Sequence, residues 1–236
     1  ADPAAVFARV AHGSASDISP EDDLVLRWHG LYRHRPAEGE GFMLRLKLPG
    51  GAITSDQLAV VISIADRVAH GHINLTTRQD IEFHHLTLND LPAVFAEISL
   101  AGLTTAGACG DQVRNVVHCP VAGIDVGELF DTTETTNALH AAFLCNPVFA
   151  NLPRKFKIAL CGCANHCVPT EINDVALVAA YNSDRQLGYA LYVGGGLSSS
   201  PMMAADLHAW IAPADAVEVV EQAVAIFREY GNREHR

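Results

Sequence analysis

Residues 42–48 read FMLRLKL, with Leu44, Leu46 and Leu48 alternating against Arg45 and Lys47 before Pro49-Gly50-Gly51. Strict period-two alternation suits a half-buried β-strand and no helix. Here the strand's second face is cationic. The proline and glycines end it in a turn. Thr54 and Gln57 then stand at capping-box spacing. They predict a helix to about Ala69, with Leu58, Val61, Ile62 and Ala65 on one side and Gly71 past its end. Ile73–Thr77 and Asp80–His85 read as a strand, a break and a second strand, and Asn89 can cap a helix to about Leu100. That order predicts a small α+β lobe with its helices on one face of the sheet.

After Gly107-Ala108-Cys109-Gly110-Asp111 the pattern shifts. Arg114–His118 reads as extended and Glu134–Leu144 as helical; Lys157–Leu160, Val175–Tyr181 and Tyr189–Val193 read as buried strands. Gly194-Gly195-Gly196 turns the chain, and Ala214–Tyr230 makes a final helix. Residues 1–20, rich in Ala, Ser and Pro, read as a loose lead-in, and Asn232–Arg236 reads as an interruption.

Composition excludes several classes. Hydrophobic residues at 49% and charged ones at 18% supply a core and exclude a disordered chain. No run approaches the ~20 apolar residues of a membrane helix, and the first residues carry no basic and apolar leader. A net charge of −11 has the wrong sign for nucleic acid. The six cysteines are not spaced as a secreted framework; Cys161, Cys163 and Cys167 crowd together, which points to a reducing, cytoplasmic setting with metal ligation open.

Two features carry chemistry. Arg45 and Arg78 lie on or beside strands, and Arg154, Lys155 and Lys157 cluster near Leu152-Pro153. Lys155 and Lys157 are i, i+2, so an extended backbone aims both ammonium groups to one side. That arrangement fits an anion site, or else a solvated strand edge guarded by lysine; spacing alone favours the edge. The second feature is Cys163-Ala164-Asn165-His166-Cys167, with Cys119 upstream. Thiolates at i and i+4 can reach one metal or cluster, yet clusters want four ligands and zinc a second close pair. Small buried inert thiols remain the other reading. Among twelve histidines, His166 stands out for lying inside the thiol loop, and His84 and His85 should face opposite sides of a strand. The triple glycine permits close backbone approach to something flat or anionic, or a tight turn. No dinucleotide fingerprint, phosphate loop or nucleophile elbow is present.

The blocks LRWHGLYRHRP, FMLRLKLPGG, NLTTRQDIEFHHL, GDQVRNVVHCPVAGID, NLPRKFKIAL, EINDVALVAAY, YVGGGLSSS and LHAWIAPADAV occur in the order seen in the ferredoxin-dependent nitrite and sulfite reductases. From about Leu24 onward the chain resembles the first of the two repeats in those sirohaem and iron–sulfur enzymes. The resemblance implies an α+β chain, with a ferredoxin-like lobe over residues 18–103 and a sirohaem-cradling mixed α/β lobe over 104–236. It implies that Arg45, Arg78, Lys155 and Lys157 bind nitrite or sulfite, and that Arg154, Gln79, Arg114 and Asn115 hold the sirohaem carboxylates. Fixed cations suit a polyanionic ring and an anionic substrate, and can deliver protons as bonds break.

In that family the [4Fe-4S] ligands come from the second repeat, as C-x5-C then C-x3-C. Here Cys119 matches the first position and Cys163 and Cys167 the C-x3-C, while Asp125 stands where the second cysteine would be. Three of four ligands resemble the remnant of a duplicated cluster site, ahead of a working cluster with Asp125 or an outside fourth ligand. The chain then resembles half of a six-electron reductase, completed by a second polypeptide or C-terminal half and supplied by a ferredoxin-like donor. Its −11 charge suits an acidic donor poorly. A precorrin oxygenase of the same fold and a non-catalytic cofactor-binding half are the alternatives; the full set of four cations speaks against the oxygenase.

Overall fold

The computed structural model describes residues 3–10, 17–34, 41–163, 167–198 and 200–234. The chain divides into two compact units, one of residues 1–48 and 52–110, the other of residues 49–51 and 111–236.

In the first unit, β1 (Leu31–Arg33), β2 (Phe42–Leu46), β3 (Asn74–Leu75) and β4 (Ile81–Leu86) form an antiparallel sheet in the order β1-β2-β4-β3. Alternation works as the sequence predicts: Phe42, Leu44 and Leu46 are buried, Met43 and Arg45 only half so. The first unit's lead-in is partly helical. Residues 3–10 form α1, burying Val6, Phe7 and Val10, and residues 20–28 form α2, capped by Ser19. Helices α3 (Ser55–Val68) and α4 (Leu91–Leu100) bring Val61, Ile64, Val94 and Ile98 into the core with Leu44, Leu46, Ile81 and Phe83. The capping box forms: the Gln57 N–H donates to Thr54 Oγ1 at 3.2 Å, and the Thr54 N–H to Gln57 Oε1 at 3.1 Å.

The inner stripe of α3 differs from expectation. Leu58 and Ile62 are 38% and 50% exposed, and Ile64 takes the buried place, because the helix is rolled on the sheet by a fraction of a turn. The cap of α4 is Asp90, not Asn89, and its carboxylate serves the preceding turn by accepting from the Thr87 N–H at 2.8 Å.

β4 also corrects the reading of His84 and His85. The register with β2 slips between Leu44↔Phe83 and Phe42↔Leu86, and His85 takes φ +64°. A β-bulge of this kind breaks the alternation. Leu86 therefore turns inward, and the two imidazole centroids lie 6.2 Å apart instead of on opposite faces. His34 and His70 stand over His85 at 5.1 and 5.0 Å.

In the second unit, β5 (Val113–Val117), β6 (Phe156–Cys161), β7 (Val175–Tyr181), β8 (Leu187–Val193) and β9 (Ala205–Ile211) form one sheet in sequence order. The pairs β5–β6 and β6–β7 are parallel, the rest antiparallel. Helices α5 (Thr133–Phe143) and α6 (Ala216–Tyr230) join one face, packing Leu139, Phe143, Val220 and Val224 with Ile158, Leu160, Leu177 and Tyr189. Separate buried clusters gather Val117, Cys119, Ala159, Val168 and Ala176, and Cys161, Cys163 and Val178. β9 goes unread although ADLHAWI alternates, because its apolar residues Leu207, Ala209 and Ile211 are few and lie on a strand that runs from exposed to half-buried. An apolar cleft of about 620 Å³ opens between β8, β9 and α6, lined by Leu191, Leu207, Ile226 and Phe227 among others.

The triple glycine is settled at Gly195, whose added Cβ would lie 2.3 Å from the Glu171 carbonyl oxygen. The close approach is to the chain's own backbone. At Gly50, φ is +58° and a Cβ would meet His118 Nε2 at 2.3 Å. The turn after β2 therefore needs glycine for both space and conformation.

Candidate functional site

The first unit sets two of the predicted cations around one buried carboxylate. Arg45 and Glu82 are directly opposed in the β2–β4 register, and Arg45 Nε donates to Glu82 Oε1 at 2.8 Å. Arg45 Nη1 also donates to the Ala108 carbonyl at 3.4 Å. The Asp80 side chain is 0% exposed, and its Oδ2 lies 4.0 Å from Nε of both Arg45 and Arg78. Burial works against charge on Arg45, but Cys109, Glu82 and Asp80 outweigh it and hold the guanidinium pKa above its ordinary value. Gln79, between Arg78 and Asp80, takes φ +58°, with its N–H donating to the Thr76 carbonyl at 2.9 Å. The Arg78 and Asp80 N–H groups both donate to Thr76 Oγ1, so Thr76 organises the turn that carries the arginine.

Lys157 lies on β6 of the second unit, a strand paired on both sides. The solvated-edge reading of Lys157 therefore fails. Lys157 is ion-paired to Asp174, and its Nζ also donates to the Gly195 carbonyl at 3.4 Å. Lys155 and Arg154 lie just before β6, both half-buried, in the loop following Pro153. Arg114 and Asn115 occupy β5 and are buried, 5% and 1% exposed. Polar side chains this deep must meet polar or ionic partners. Lys157, Ala159 and Cys161 alternate with Ile158 and Leu160 along β6, and the latter two belong to the core that includes α5 and α6. Period two therefore sets Lys157 on the opposite face of the sheet.

The thiols gather in the same unit. Cys119 follows β5, Cys161 ends β6, and Cys163 and Cys167 come next. Cys119 Sγ and Cys167 Sγ are 3.1 Å apart, and Cys161 Sγ donates to the Cys163 carbonyl at 3.1 Å. The Cys167 thiol is pushed up to about 12, first by its hydrogen bond to Cys119 and then by burial. Asp125 accepts from the Gly127 N–H at 2.9 Å within its own turn. His166 lies outside the described residues. Among the described residues, no group of three or more His, Cys, Asp or Glu is placed to hold a metal ion.

Sequence reasoning missed the carboxylates that position the cations: Asp80, Glu82 and Asp174. No local signal marks Glu82 or Asp174 as counter-ions, since Glu82 lies 37 positions from Arg45 and Asp174 17 positions from Lys157; only Asp80 stands close to its arginine, in TTRQDIE. Cys161 crowds with Cys163 and Cys167 in sequence but lies outside the C-x3-C pair. No helix among the described residues is long and apolar enough to cross a membrane.

Comparison with known proteins follows the same division. Residues 34–101 match the nitrite/sulfite reductase ferredoxin-like half domain, and residues 109–236 the nitrite and sulphite reductase 4Fe-4S domain. The chain is 39% identical over 231 residues to a ferredoxin–nitrite reductase of Leptolyngbya laminosa, covering 95% of this chain and 44% of that protein. It is 32% identical over 225 residues to a ferredoxin sulfite reductase of Mycobacterium tuberculosis, covering 89% and 40%. The structure of Mycobacterium tuberculosis NirA superposes with a TM-score of 0.89 at 31% identity, over 100% of this chain and 46% of that one. Dissimilatory sulfite reductase I, at 18% identity and TM-score 0.69, over 85% of this chain and 66% of that one, shares the fold. The chain spans less than half the length of the curated relatives it matches. Its two domain matches, one after the other, place it in the nitrite and sulfite reductase family.

Proposed function

We propose that this chain is the cation-bearing half of a sirohaem-dependent reductase that converts nitrite to ammonia or sulfite to sulfide by six electrons. A second polypeptide or C-terminal half completes it, a ferredoxin-like donor supplies the electrons, and the setting is cytoplasmic. The observation that carries the reading is the pair of guanidiniums, Arg45 and Arg78, disposed around the buried Asp80. Paired arginines fixed by a hidden acid are prepared to receive oxyanions without reorganising.

Family membership implies a sirohaem and a 4Fe-4S cluster. The donor set suits ring carboxylates by its chemistry, since Arg78, Gln79, Arg114, Asn115 and Arg154 all carry N–H donors, and in this reading these residues would hold the sirohaem carboxylates. When bound, the sirohaem would supply the electrons that reduce the oxyanion. In this reading Arg45, Arg78, Lys155 and Lys157 hold the anion, and the ammonium protons at Lys155 and Lys157 Nζ pass to oxygen as each bond to it breaks. The ion pair with Asp174 aims Lys157. The thiol set does not fit the cluster, since among the described residues its sulfurs are not arranged as ligands; Cys119, Cys163 and Cys167 read as a remnant, and the cluster belongs to the other half.

The test uses the assembly of this chain with its completing half, loaded with cofactors and driven by reduced viologen dye. Lys155→Ala and Arg78→Ala should each lower kcat/KM for the oxyanion by about 100-fold, as loss of one charge-stabilising donor does. Unchanged turnover in both variants would remove the anion-site assignment.

A further inference from the structure

The 3.1 Å between Cys119 Sγ and Cys167 Sγ suits neither form of metal ligation. Two thiolates on one tetrahedral zinc, each at about 2.3 Å, stand about 3.8 Å apart. Thiolates on an iron–sulfur cluster sit on separate irons, further apart still. A disulfide needs about 2.05 Å, so these sulfurs need only close by about 1 Å. Their setting favours that closure. Cys119 follows β5 and Cys167 follows β6, and those strands are parallel, so both loops leave the same end of the sheet. Cys167 is exposed, while Cys119 is buried beside it.

We propose that Cys119 and Cys167 form a dithiol–disulfide pair that exchanges with small-molecule disulfides of the glutathione class. The small thiolate fraction of the exposed Cys167, kept small by the raised pKa of this thiol, attacks one sulfur of the small disulfide; that S–S bond breaks, and one small thiolate leaves and takes up a proton. Cys119 then attacks the Cys167 sulfur, expelling the second small thiol and closing the protein disulfide. The two protein thiols lose two hydrogens, and one disulfide is reduced to two thiols. The neighbouring thiols have other engagements. Cys161 is turned into its own loop by the hydrogen bond to the Cys163 carbonyl, and Cys163 is buried against Cys161 and Val178. Cys145, exposed and in another part of the unit, serves as the internal control.

The whole purified chain is exposed to oxidised glutathione at mildly alkaline pH, denatured, alkylated and mapped by mass spectrometry. The expected result is a fall from six free thiols to four, with a peptide joining Cys119 to Cys167 and full reversal by a reducing dithiol. Cys119→Ser should stop the reaction at a glutathione adduct on Cys167, and Cys167→Ser should yield no bridge to Cys119. A bridge between any other pair overturns the proposal, as does a lasting adduct on Cys167 in the unsubstituted chain or six unreacted thiols. Iron and sulfide held by these two cysteines in freshly isolated protein would also overturn it. None of these readouts measures turnover, so the pair stands or falls apart from the oxyanion reading.

Discussion

Replacing Asp80 by asparagine keeps the shape of the side chain and removes one charge from a site with no exposed surface. Each guanidinium loses an attraction that, at 4.0 Å and an effective dielectric near 20, amounts to about 4 kcal/mol before desolvation. Asparagine relieves the burial penalty of the carboxylate, which is itself several kcal/mol. Arg45 keeps Glu82 as a partner, and Arg78 loses its ionic contact with Asp80. Breaking a buried pair costs about 3–5 kcal/mol, and the surviving Glu82 contact places the expected loss at about 3 kcal/mol. Urea unfolding reads it well, because Trp28 lies in the first unit and Trp210 in the second. The Trp28 transition should move to lower urea in Asp80→Asn. Combining Asp80→Asn with Arg78→Met should cost less than the two single losses together, since both remove the same Asp80–Arg78 contact. A single variant within about 0.5 kcal/mol of the parent, the range of an ordinary surface change, would refute the claim that Asp80 organises the arginines.

Two further outcomes concern the second unit. Gly50→Ala must adopt φ +58° and intrude on the His118 ring. Backbone conformation and overpacking together sum to about 2–5 kcal/mol, and thermal unfolding at neutral pH measures the loss. Burial lowers the His118 pKa from 6.5, against the pull of Asp131. The unfolded chain therefore takes up its proton first, and stability is intact above about pH 6.5 and falls as pH drops below it, by at most about 1.4 kcal/mol per unit. His118→Gln should flatten that slope in urea titrations between pH 5 and 7, taken as roughly the histidine range; an unchanged slope counts against the assignment.

Much of the architecture is legible because periodicity and burial agree along the chain. FMLRLKL alternates, VALVAAY runs apolar because β7 is covered on both sides, and Thr54 with Gln57 announces α3. The misses share a cause: they depend on partners distant in sequence. β9 is the exception: Leu207, Ala209 and Ile211 alternate in ADLHAWI, and Ala209 and Ile211 pack on the core, but the signal is weak because the strand is a largely exposed edge. His84 and His85 share a side only because β4 bulges against β2, and the shift shows in IEFHHL as inward residues at 81, 83 and 86. The cations could be named from the sequence, but not their counter-ions. Lys157 pairs with an acid seventeen positions away, on the turn that enters β7. Likewise, the contrast between Lys157 as an edge guard and as an internal cation turns on β6 being paired on both sides, which spacing within one strand does not encode.

Residues 49–51 belong with the second unit, although the chain on either side of them belongs to the first. On the ribosome this turn is made long before β5 and α5, so it waits without its His118 neighbour while the first sheet is already closing. Synthesis order and folding order are thereby interlocked. A proteolytic or genetic cut after residue 110 would not release two self-sufficient pieces. One fragment would carry a stranded turn, and the other would keep a histidine facing the space that Gly50 should fill.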